Sequence, residues 1–145
     1  MKYDARGSKC YNNDDCNIYG RYYSLSMTTD TDICPKGWSL PGIGQWETMM
    51  RYFNKDCEIS QCIYSDISKY LRVKDWDGLD SLGFSALPGG CDDGNTTNSS
   101  GCWWSNIINN TNAAYYIKIT NADDAARDNR FINDFLNVRC MREVK

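Results

Sequence analysis

The sequence predicts a single α+β domain stapled by disulfides, and three observations carry that prediction. Ile43, Trp46, Met50 and Phe53 recur at spacings of three, four and three, which is one face of a helix. Aromatic and β-branched runs, above all Tyr115-Tyr116-Ile117-Lys118-Ile119, read as strands. Eight cysteines stand in a chain of 145 residues that has no histidine. No repeat or low-complexity linker divides the chain, so residues 1–145 are read as one domain. A chain of this length buries roughly two-thirds of its unfolded surface.

The cysteines, at positions 10, 16, 34, 57, 62, 91, 102 and 140, contain no CxxC pair. That spacing argues against a four-cysteine zinc site, and the lack of histidine against a mixed one. An even count without metal spacing implies four disulfides and an oxidising compartment. The net charge of −3 and a pI near 4.9 do not support a nucleic-acid partner, which would need a basic face. No run of 18 apolar residues exists, so no direct membrane insertion by a helix is expected. Met1 to Arg6 have no apolar h-region. An exported form is therefore expected to carry its signal outside this chain, or to travel within something larger.

In chain order, residues 1–18 read as a polar N-terminal extension. Cys10 and Cys16 there suit a small stapled turn, or pair elsewhere. Tyr19 to Met27 is aromatic and partly alternating, and is expected as a strand, with a loop from Thr28 to Asp32. Cys34 to Pro41 is turn-rich and is expected to hold two buried anchors, Trp38 and Leu40. A helix is expected from Gln45 to about Asn54, with Gln45 and Glu47 off its apolar stripe and near neutral to alanine. Asp66 to Leu71 reads as a second helix with Ile67, Tyr70 and Leu71 inward, and Val73 to Ser81 as a loop holding Trp76.

Leu82 to Gly90 organises the chain. Phe84 and Ala86 alternate like a short strand, which Pro88 and the paired glycines then turn. Cys91 and Cys102 bracket a ten-residue polar insert, and Trp103-Trp104-Ser105 resumes the buried chain. Neighbouring strand side chains point to opposite faces. One of Trp103 and Trp104 is therefore expected in the core and the other facing a groove, and likewise for Tyr115 and Tyr116. Ala113 to Thr120 is a strand, Asn121 to Asp128 a polar turn, and Phe131–Asn133 and Phe135–Met141 closing strands.

Six short motifs occur in a fixed order. They are Tyr19-Gly20-Arg21-Tyr22-Tyr23, Cys34-Pro35-x-Gly37-Trp38-x-Leu40-Pro41, Trp46-Glu47, Gly83 to Gly90, Trp103-Trp104-Ser105 and Val138-Arg139-Cys140. Together they resemble the Fibrobacter succinogenes major paralogous domain over about residues 19–142. The resemblance implies a C-type lectin-like fold, with two helices flanking a small twisted antiparallel sheet. It also implies that Cys34 pairs with Cys140. The other cysteines depart from the plain family pattern. They are assigned local partners by proximity and resemblance: Cys10–Cys16, Cys57–Cys62 and Cys91–Cys102.

Catalysis finds no machinery here. Without histidine there is no Ser/His/Asp or Cys/His relay, and the adjacent pairs Asp92-Asp93 and Asp123-Asp124 set no acid against a base. The chain is read as non-enzymatic. The Glu-Pro-Asn or Gln-Pro-Asp loop and the Trp-Asn-Asp strand of sugar-binding C-type lectins are absent. Asp92, Asp93 and Asn95, or Asp75, Asp77 and Asp80, could supply oxygens to calcium; both clusters suit solvated turns as well.

Binding remains. The candidate ligand-binding residues are Trp103, Trp104, Asn106, Asn109, Asn112, Tyr115, Asp124, Arg127, Asn129 and Arg130, in loops placed at 91–112 and 121–137. The segment from Asn106 to Asn137 is rich in asparagine, at 106, 109, 110, 112, 121, 129, 133 and 137. It resembles the outcome of retroelement diversification, in which adenines of Asn codons are randomised in a C-type lectin-like domain. Loop preference of Asn and Asp gives the same composition. Two functions follow. One is a secreted or surface-displayed recognition or adhesion module, bacterial or carried by a phage or virus, that binds a protein or glycan. The other is a structural subunit of a cell-surface or appendage assembly without its own ligand.

Overall fold

The computed structural model describes residues 4–10, 16–30, 33–53, 67–91, 99–122 and 125–142. The Cys57–Cys62 pair, Asp66, Asp92, Asp93, Asn95, Asp123 and Asp124 lie outside these ranges. Strand β3 (Ala113–Thr120) has the bounds expected from sequence. It lies between β2 (Ser100–Asn110) and β4 (Ala125–Phe131), antiparallel to both. Two short strands, β1 (Tyr22–Tyr23) and β5 (Leu136–Asn137), complete a sheet in the order β1-β5-β2-β3-β4. β5 runs parallel to β2, with Trp103 opposite Asn137, so the sheet is mixed and not antiparallel throughout. That joint is non-local, and local alternation does not encode it.

Both faces of the sheet are covered. On one face Trp104, Ala114 and Tyr116 pack with Ala5, Tyr23, Leu25, Leu40, Leu136 and Val138. On the other, Trp103, Ile117, Ile119 and Ala125 pack under helix α3 (Ile43–Arg51) and helix α4 (Ile67–Leu71). The two helices thus share one face; the opposite face is closed by the N-terminal segments. The predicted stripe holds: Trp46 and Met50 are fully buried, with Ile43 and Phe53 packed beside them. Gly42 caps the helix, and its N–H donates to Gln45 Oε1 at 2.7 Å, which starts the helix two residues earlier than expected.

Several expected elements change. Tyr19 to Met27 is not one strand: α1 (Cys16–Tyr19) precedes β1, and α2 (Leu25–Asp30) follows it. Leu25 and Met27 prefer a helical turn that packs them inward, closed by Thr28 Oγ1 donating to Leu25 O at 2.7 Å. Phe84 and Ala86 are buried as expected, but they make no strand, because Ser85 between them has φ 54°. Ala86 makes a single bridge, to Arg72. Lys74–Trp76 is a short 3-10 helix with Trp76 buried. The expected turn over Asn121–Asp128 gives way at Ala125 to β4, because Ala125, Arg127 and Asn129 pair with Ile119, Ile117 and Tyr115. The closing strands shrink to β5 and one bridge, Ser39 with Met141.

Disulfides Cys10–Cys16, Cys34–Cys140 and Cys91–Cys102 form as expected. Cys34–Cys140 spans 106 residues, and in the chain-entropy model a loop of that size is stabilised by about 4–5 kcal/mol. Cys91 and Cys102 are buried in the core under the sheet, so this pair fastens the framework from within. Three disulfides among the described residues fit an extracellular or otherwise oxidising environment. No helix of the described residues is long and apolar enough to cross a membrane.

The organising stretch closes on the sheet by backbone contact. Tyr22 Oη donates to Gly89 O at 2.6 Å, and Gly90 N donates to Ser100 O at 2.8 Å. A Cβ on Gly101 would lie 2.6 Å from Leu87 O, so that approach requires glycine.

Candidate functional site

Strand β2 changes character halfway along. Ser100 to Ser105 are all buried, and Asn106 to Asn110 are all exposed. The register with β3 slips at the same place: Trp104 faces Tyr116, yet Ile108 faces Ala114. Four residues on β2 thus span two on β3, a bulge that lets the strand leave its partner. The freed backbone turns to the loop before α3. Asn106 N donates to Pro41 O at 3.0 Å, and Asn106 Nδ2 donates to Leu40 O at 3.1 Å. Beyond the bulge, Ile108 opposes Ala114 and Asn110 opposes Ala113.

The tips of β2 and β4 are therefore exposed at this end of the sheet, while Ala113 and Ala114 of β3 stay buried between them. Tyr115 is half-buried there. Its hydroxyl donates to Asn109 Oδ1 at 2.9 Å, its strand neighbour is Asn129, and the Arg127 guanidinium lies 5.1 Å from its ring centre. Arg127 in turn pairs with Glu47 of α3, Nη1 to Oε1, at 3.3 Å. Glu47 is 4% exposed, so it is a buried partner and not the neutral position expected from the stripe. The helix periodicity places it off the apolar face, but a cation from β4 reaches over to meet it.

The predicted residues separate into three groups. Asn109, Tyr115, Arg127 and Asn129 come together at the sheet end, with Asn112 at the hairpin tip, where its N–H donates to Asn110 Oδ1 at 2.9 Å. Trp103 and Trp104 are both buried, one in each core, because both faces of the sheet are covered; Trp103, 7% exposed, only edges a small cleft that it shares with Tyr19, Asn137 and Arg139. Trp104 Nε1 donates to Tyr23 O at 2.7 Å. Of the tyrosine pair, Tyr116 is the buried member and Tyr115 the outer one. Asn106 and Arg130 have framework roles. Arg130 Nη1 donates to Cys91 O, and Arg130 Nε pairs with Asp134 at 3.5 Å. Asp124 lies outside the described residues. The segments expected as binding loops are largely strand, since β2 and β4 extend through them.

Sequence reading missed the exposed apolar side chains at this end of the sheet. Ile107, Ile108 and Phe131 are 41%, 57% and 68% exposed. Ile107 and Ile108 follow a tryptophan pair in one strand and look like core; the bulge that exposes them depends on β3 and Pro41. Asn137, counted with the asparagine-rich segment, is buried, and its Nδ2 donates to Arg21 O at 3.1 Å. Asp80, proposed as an oxygen donor, closes a turn instead, accepting from Ser85 N at 2.6 Å and from Ser85 Oγ at 2.8 Å. Among the described residues no group of three or more acidic, histidine or cysteine side chains is placed to hold a metal ion.

A family model described as the Fibrobacter succinogenes major domain matches residues 2–142. Comparison with curated proteins and with solved structures gives no match.

Proposed function

The chain belongs to the Fibrobacter succinogenes major domain family, and from its sheet end we propose a non-enzymatic recognition module, secreted or displayed on a surface. We read its fold as C-type lectin-like. That reading is supported by the Cys34–Cys140 link between the pre-helix segment and the closing segment; the two helices sharing one face and the mixed sheet depart from the flanking helices and antiparallel sheet that the resemblance implies.

The observation that carries the function is the switch of β2 from wholly buried to wholly exposed at its bulge. It leaves Ile107 and Ile108 exposed on a braced sheet end; Phe131 is exposed at the end of β4, where it pairs with Ala113, and Tyr115, Asn109, Arg127 and Asn129 lie on the same strand tips. Exposed apolar side chains rimmed by polar ones mark interaction sites. Rigid strands also lower the ordering cost of binding. Aliphatic side chains favour a protein ligand over a glycan, since sugars are gripped by flat rings and hydrogen bonds. Diversification of this surface by a retroelement belongs to the same proposal: Asn109, Asn110, Asn112 and Asn129 are all exposed at this end. A near-copy of the gene segment differing at adenines, beside a reverse transcriptase, is the genomic signature expected.

The test is an array of surface and secreted proteins, with glycans printed alongside, probed with the wild-type chain and with Ile108→Asp and Phe131→Asp. Saturable binding to a protein that both variants lose at unchanged melting temperature supports the proposal. Binding that survives both variants sinks it, and homotypic assembly without any captured protein supports the structural-subunit alternative.

A further inference from the structure

A second feature lies on the other flank of α3. Met49 and Trp46 stand about 200° and 100° around the helix from Glu47, so the helix separates this place from the sheet end. Here Trp38, Trp46, Met49, Phe84, Arg139 and Arg142 line a cleft of about 530 Å³, a size that suits a small organic molecule. Its walls are fixed. The Cys34–Cys140 disulfide and paired backbone hydrogen bonds between Ser39 and Met141, 2.9 Å each, hold the C-terminal segment beside Trp38. Phe84 packs edge-on against Trp46 and Trp103, at 5.8 and 5.4 Å between ring centres. The Asp80–Ser85 clamp fixes the turn that presents Phe84.

The charged side chains that line the cleft, Arg139 and Arg142, are both cationic. Arg139 lies over the Phe84 ring at 4.5 Å, and Arg142 over the Trp38 ring at 5.6 Å. Among the described residues neither guanidinium has a carboxylate within ion-pair distance or a hydrogen-bond acceptor. Burial pulls Arg139 below its ordinary pKa, against the longer-range pull of Asp80. The Trp46 Nε1 donor is buried and finds no acceptor among the described residues. Trp38, expected from sequence as a buried anchor, is instead a half-exposed ring at the mouth. Two stacked guanidiniums with open donors, in a protein of net charge −3, make this cleft locally cationic between apolar walls.

We propose that this cleft binds a small carboxylate with a flat aromatic body: the carboxylate is held between Arg139 and Arg142, and the ring lies against Trp38 and Phe84. The site is separate from the sheet end and does not depend on it.

The probe is 2-naphthoate, with uncharged 2-naphthamide as its control. The five tryptophan indole N–H signals in a nitrogen–proton correlation spectrum give the readout. Naphthoate should shift the Trp46 and Trp38 signals saturably, and the amide should bind at least tenfold more weakly. Arg142→Gln, on the exposed side, should weaken naphthoate at least fivefold without loss of melting temperature. Arg139→Gln should add to that loss wherever the variant folds. Equal binding of acid and amide, no shift of either signal at millimolar naphthoate, or full affinity in Arg142→Gln would each overturn the proposal.

Discussion

The two halves of β2 are one strand with two physical fates. From Ser100 to Ser105 every residue is buried, and Cys102, Trp103 and Trp104 tie the strand into both cores. From Asn106 to Asn110 every residue is exposed, although Ile107 and Ile108 are as apolar as anything in the first half. Hydropathy therefore does not separate the halves. Cover does: the first half lies under α3 on one side and the N-terminal segments on the other, and the bulge carries the second half past both. A buried half fixes position and an exposed half offers contacts, and the division of labour is set by where the layers end.

The sharpest way to break that comparison is to truncate one residue on each side of the bulge. Trp104→Ala should cost about 3–5 kcal/mol, since the ring is fully buried and its Nε1 satisfies Tyr23 O. Ile108→Ala, four residues on, should stay within about 0.5 kcal/mol. Chemical denaturation of both variants measures the contrast. Similar losses at the two positions would mean that the outer half is covered in solution, and the exposed end would not be a free surface.

How much of this was legible in sequence follows from the range of each signal. The α3 stripe and β3 are local patterns, and both were readable to within about three residues. Cys34–Cys140 came with the family resemblance and not with any local pattern. Alternation correctly sent Trp103 and Trp104 to opposite faces, but it carries no information about whether the second face is covered. Glu47 looked solvated because its partner, Arg127, is 80 residues away. The parallel joint of β5 with β2, and the bulge that exposes Ile107 and Ile108, are likewise set by segments distant in the chain.

The brace between frame and surface gives the next effect in size. Arg127→Ala leaves the Glu47 carboxylate buried without its cation, which should cost about 1–3 kcal/mol. Glu47→Gln should cost less, because an amide oxygen still accepts from the guanidinium. Thermal melts of the pair and of the double variant Glu47→Gln/Arg127→Ala would show the coupling; additive losses would mean that the contact is incidental. A smaller loss, about 0.5–1 kcal/mol, is expected for Gln45→Ala, which removes the acceptor for Gly42 N–H at the start of α3.

The smallest effect on stability should accompany the largest effect on recognition. Asn109, Asn112 and Asn129 are exposed at the strand tips, and their neighbours rely on backbone pairing more than on these side chains. Asn109 accepts from Tyr115 Oη, but both groups reach solvent, so water can replace either partner. Alanine at all three positions should therefore shift stability by less than about 0.5 kcal/mol each. Arg127 does not belong in this set, because its pairing with Glu47 would confound the melt. The triple variant should still lose binding to any protein captured through Ile108 and Phe131, because a polar rim that excludes water is needed around an apolar contact. A calorimetric titration beside a melting curve reads both quantities on one sample. A large drop in melting temperature would make these asparagines turn supports, and undiminished binding would confine recognition to the apolar side chains.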